Sequence, residues 1–88
     1  MKDKKTIKAV AKSVEEKINK VVNERYADEP DRIITYGVEV ETDESHVTVT
    51  PKNGKTFYCI DELILVAKFY EVSFYVTLED DTLKFRFH

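Results

Sequence analysis

The reactive side chains of this sequence are few: one cysteine, Cys59, and two histidines, His46 and His88. A Cys–His pair can act as nucleophile and base when the imidazole removes the thiol proton. Strand alternation places Cys59 opposite Thr48, close to His46. The neighbouring carboxylates disfavour a thiolate, so the pair lacks activation. A strand cysteine acting as a small hydrophobe is the simpler reading. His88 is the last residue of the sequence, and frayed ends rarely do chemistry.

Metal and phosphate chemistry find little support. The sequence has no Cys-x-x-Cys and no His-x-x-x-His pair, so a zinc site within one chain is not expected. Glu41, Asp43 and Glu44 form one acidic tip and Glu79, Asp80 and Asp81 another. No Asp-x-Asp-x-Asp-Gly loop organises either for a divalent cation. A carboxylate patch of this kind could meet a basic partner, but acidic residues are ordinary turn chemistry. The only glycines are Gly37 and Gly54, too few for a G-x-G-x-x-G or Walker loop. The expectation is therefore a protein without catalytic residues, metal or cofactor.

The elements that carry these residues follow from periodicity. Ile7, Val10, Val14, Ile18, Val21 and Val22 recur at helical spacing and predict a first helix over 5–27. Lys5, Lys8, Lys12 and Lys20 fall largely on its other side. Pro30 restricts Glu29 and stops the ladder. Alternation predicts strands over 33–41 and 46–51. A two-residue turn at Asp43-Glu44 would set Val40 against Val47, Val38 against Val49 and Glu41 against His46. Asp-Glu is a poor pair for such a turn, so a longer loop is the alternative.

Asn53-Gly54 is a stronger hairpin signal. It predicts a third strand over 55–59, with Val47 opposite Ile60 and with Phe57 and Cys59 facing outward. The segment 61–70 then reads as a second helix, with Asp61 and Glu62 where the helix dipole favours them. Strands over 72–79 and 82–87 close the chain. A tight turn at Asp80-Asp81 sets Leu78 against Leu83, Val76 against Phe85 and Phe74 against Phe87.

The second helix is the unusual element. Seven of the ten residues Asp61–Tyr70 are apolar, and they spread around the helix rather than along one stripe. A helix apolar all round needs burial on all sides. A chain of 88 residues has little material for that. Leu65 and Phe69 are thus expected either under other parts of the chain or against a partner.

The outward face of the sheet offers a second surface. There Tyr75 faces Arg86 and Thr77 faces Lys84. Together with Phe57, these aromatics and cations could anchor a protein or stack bases and hold phosphates. Plain cross-strand pairing explains them equally simply.

Charge is polarised. Residues 1–25 sum to +4 and the remainder to −7, giving −3 overall. Such asymmetry can steer a charged partner. An acidic chain without a ribonucleoprotein consensus argues against nucleic acid as the first choice. Hydrophobic residues make up 42%, enough for a core, and no apolar run is long enough for a membrane span. No secretory leader is evident, and a cytoplasmic setting fits.

The expected fold is a single α+β domain over 1–88, in the order α-β-β-β-α-β-β. Two helices pack on one face of a mostly antiparallel sheet of four or five strands. The second helix is expected to run centrally, with the first over part of its outer side. The expected function is a small protein-interaction module. Its partner would be another protein or a second copy in a homodimer, and its candidate contacts are Phe57, Tyr75, Lys84, Arg86, Leu65 and Phe69. An accessory or inhibitor protein of a microbe or mobile element suits the size, by association alone. The alternative is a nucleic-acid-binding module using the basic first helix or the Tyr75–Lys84–Arg86 face. No membrane or small-molecule partner is inferred.

Overall fold

A computed structural model describes residues 3–32, 37–52 and 60–88. Helix α1 spans Lys4–Arg25. Asp3 caps it, its side chain accepting a hydrogen bond from the Thr6 N–H at 2.6 Å. One stripe, Ile7, Val10, Val14, Ile18 and Val22, is buried, as the three- and four-residue spacing requires. Tyr26 closes the helix, its N–H donating to the Val22 carbonyl.

Strands β1 (Val38–Thr42) and β2 (Val47–Pro51) pair antiparallel. Helix α2 spans Ile60–Tyr70. Strands β3 (Phe74–Glu79) and β4 (Thr82–Phe87) pair antiparallel. Among the described residues the sheet has four strands in the order β1-β2-β4-β3, all neighbours antiparallel. The last hairpin thus folds back so that β4 lies beside β2. Val47, Val49, Phe85 and Phe87 join the buried residues of both helices in one core, which puts both helices on one face.

The β3–β4 register is the expected one: Leu78 opposite Leu83, Val76 opposite Phe85, Phe74 opposite Phe87. Asp80 and Asp81 both have positive φ, 51° and 63°, the backbone of a tight hairpin turn. The β1–β2 register differs by two residues, with Val40 opposite Val49 and Thr42 opposite Val47. A longer loop causes this. The Asp43 carboxylate accepts from the backbone N–H groups of Ser45 and His46 and the loop closes at Asp43 and His46. A shift of two preserves every side chain's face. It does move Glu41 from His46 to Thr48.

The expected pairing of β2 with a third strand is corrected. At Val47–Val49 both edges of β2 are occupied, by β1 and β4. Thr48 lies between Glu41 and Arg86; Cys59, expected opposite it, lies outside the described residues. Ile60 starts a helix instead of extending a strand. Residues 33–36 of the expected first strand and the whole expected strand 55–59 lie outside the described residues.

The helices also exchange roles. Helix α1 packs on β1, β2 and α2 and owns the buried stripe. Helix α2 buries only Leu63, Val66 and Ala67. It ends in an αL cap at Glu71, with the Glu71 N–H on the Lys68 carbonyl and the Val72 N–H on that of Ala67.

Candidate functional site

Burial of Leu63, Val66 and Ala67 fixes which way α2 is turned. Leu65 and Phe69, four residues apart, stack on the opposite side. They are 53% and 79% exposed. No element among the described residues covers them, so the apolar circumference read from the sequence is left half bare.

These two residues flank an open groove of about 550 Å³ between α2 and α1, lined also by Ser13, Glu16, Lys17 and Tyr70. The Tyr70 hydroxyl meets Ser13 Oγ at 3.1 Å and ties the two helices together. The Phe69 ring stands edge-on to Tyr70, with centroids 4.9 Å apart. The result is an aromatic and aliphatic wall with a charged rim. On that rim Glu16 sits 4.0 Å from Lys12. Such a surface suits an apolar side chain of a partner, with aromatic contact and polar edges.

The other candidates lie elsewhere. Tyr75, Lys84 and Arg86 share the sheet face turned away from the helices, with Tyr75 opposite Arg86 as expected. The fold therefore does not bring them together with Leu65 and Phe69, and Phe57 lies outside the described residues. Arg86 is engaged: its guanidinium is 2.9 Å from Glu79 Oε2, which also accepts from Thr77 Oγ1.

Near Arg86 the histidines meet. His46 Nε2 lies 3.1 Å from His88 Nδ1, with the rings perpendicular at 4.5 Å. His46 Nδ1 contacts Ser45 Oγ at 2.8 Å. Asp43 lies alongside, and the Ser45 and then the His46 backbone N–H hold its carboxyl below the ordinary range. Among the described residues no group of three metal-ligating side chains converges. The arrangement holds a small shallow cleft with Thr48 and Arg86.

Sequence reasoning missed one exposed set. Val76 and Leu78 belong to the helix-facing side of β3, yet they are 44% and 67% exposed. Alternation tells which face a strand residue occupies. It carries no signal of whether anything lies on that face.

No family model, curated protein or solved structure matches this chain. Its description rests on its own geometry: a four-stranded antiparallel α+β fold with bare apolar surface on its outer helix and on one sheet edge. No helix among the described residues is long and apolar enough to cross a membrane.

Proposed function

We propose that this protein is a small non-enzymatic protein-interaction module, acting in the cytoplasm, that binds another protein through the outer side of α2. The observation that carries the reading is Phe69. A phenylalanine 79% exposed beside a half-exposed leucine contributes little to its own fold. Apolar surface of this kind on a small domain is covered when a partner binds, and aromatic side chains commonly anchor such contacts.

The nucleic-acid alternative draws less support. Arg86 is neutralised by Glu79, and Lys12 sits against Glu16. Fluorescence anisotropy with single- and double-stranded probes decides it: flat titrations at low salt dispose of the alternative, whereas salt-dependent affinity would favour it over the protein reading.

The test of the leading reading compares wild type with Phe69→Lys as bait. A partner retained by wild type must then be purified and rebound. Saturable binding that Phe69→Lys weakens at least about tenfold, the usual loss at an aromatic anchor, supports the reading. Equal binding by both baits overturns this use of α2.

A further inference from the structure

The two edges of the sheet are not alike. At β1 the core-facing Val38 and Val40 pack against the buried cluster under α1. Its other face carries Glu39 and Glu41. At β3 the core-facing Val76 and Leu78 are exposed, and no charged residue falls between Phe74 and Leu78. Proteins blunt open edges with charge or cover; here only β1 has both.

The hydrogen-bond phase of β3 is fixed. Ser73 and His88 exchange both backbone bonds, at 3.1 and 2.9 Å. In an antiparallel ladder such pairs alternate, so Tyr75 and Thr77 also turn their N–H and C=O toward β4. Phe74, Val76 and Leu78 turn theirs outward. Among the described residues no strand takes them. The open edge thus offers three donors and three acceptors, on residues whose side chains are apolar and face the helix side.

We propose that a second copy of the chain pairs antiparallel along β3, with the two-fold axis through Val76. In this register Val76 faces its own copy and Phe74 faces Leu78 of the copy, which satisfies all three outward residues on both strands. On the outer face Tyr75 meets Thr77, and at the ends Ser73 meets Glu79, so no like charges oppose one another along the strand. Shifting the axis to Thr77 leaves Phe74 opposite Asp80 and loses outer bonds. Shifting it to Tyr75 calls on Val72, whose N–H is already given to the Ala67 carbonyl. The same operation on β1 about Val40 would place Glu39 against Glu41 of the copy twice, which is destabilising. Self-complementarity is what selects a second copy over a foreign strand.

The dimer joins β1–β4 of both copies into one continuous sheet, with both copies of α1 and α2 on one face. It continues the apolar layer over Val76 and Leu78. The proposal takes from the reading above only that bare apolar surface is met by protein. It uses a different surface, so either can fail alone.

Sedimentation equilibrium from about 1 µM to about 1 mM, the range of weak to moderate association, reads the assembly. Wild type is expected to dimerise. Val76→Pro is expected to raise the dissociation constant roughly tenfold or more, because it removes both N–H donors at the axis. The monomer should keep its fold, since proline is tolerated where an edge N–H points to solvent; circular dichroism checks this. In a Cys59→Ser background, Val76→Cys should form an oxidised dimer, because paired Cα atoms about 5.5 Å apart suit a disulfide. Tyr75→Cys should not, being offset from its own copy. A wild type monomeric throughout, a dimer indifferent to Val76→Pro, or equal cross-linking of both cysteine variants overturns the proposal. None of these outcomes bears on the Phe69→Lys comparison.

Discussion

Two phenylalanines of this chain should respond to mutation by very different amounts. Phe87 is fully buried between β2 and β3 and packs on Phe74 with ring centroids 5.1 Å apart. Phe69 is 79% exposed, so about a fifth of its surface is covered. Phenylalanine has roughly 200 Å² to bury, so Phe69 hides about 40 Å², worth ~1 kcal/mol at ~25 cal/mol per Å². Lysine keeps part of that contact through its stem and is the better helix former, by a few tenths of a kcal/mol. Phe69→Lys should therefore change stability by less than about 1 kcal/mol. Phe87→Ala removes a whole ring from the core and should cost about 3–5 kcal/mol. Urea unfolding followed by circular dichroism measures both, at two protein concentrations so that any self-association shows as a shift in midpoint. A loss above about 2 kcal/mol for Phe69→Lys would refute the reasoning. It would mean that the chain itself buries Phe69, and the α2 face could not be a free contact.

Three further outcomes follow from local geometry. Glu71 is held at φ 55° by the C-terminal cap of α2, and Glu71→Gly should raise stability by about 0.5–1 kcal/mol by relieving a side chain in the left-handed region, read from the thermal midpoint. Thr50 Oγ1 is buried without a hydrogen-bond partner among the described residues, so Thr50→Val should be neutral or stabilising by up to about 1 kcal/mol; a clear loss in urea would indicate a partner for the hydroxyl. Asp3 and Asp43 accept backbone N–H bonds from Thr6 and from Ser45 and His46, which lowers both folded pKa values. Their stabilisation is complete above the unfolded aspartate value and is lost as pH falls through the folded ones, so carboxyl NMR titrations should show both midpoints below an ordinary aspartate and Asp43→Asn should flatten the acid limb of stability.

Much of the architecture was legible because local chemistry and pattern agreed. The stripe from Ile7 to Val22 specifies one buried helix face; the Asp3 cap is a finding of the structure. The register of the last hairpin was readable, since Asp80-Asp81 fits a two-residue turn and every apolar pair falls on one side, although the strand starts at Phe74 instead of 72. The first hairpin was readable in face but not in register. Asp43 accepting from two N–H groups makes a longer loop competitive, and a two-residue slip changes no face.

Tertiary structure decided the rest. Asn53-Gly54 argued for β2 continuing into a neighbouring strand. Yet β2 has only two edges, and the long-range pairing with β4 takes the second. Which strand wins an edge depends on how the whole core closes, and that is not encoded in any short window. The composition of α2 demanded burial all round; the fold grants it on one side because α1 and the sheet can reach only one side of a peripheral helix. Residue type alone set which surfaces are apolar. The packing of α1 and α2 over β1–β4 set which of them, Leu65 and Phe69 on α2 and Val76 and Leu78 on β3, stay bare for something else to cover.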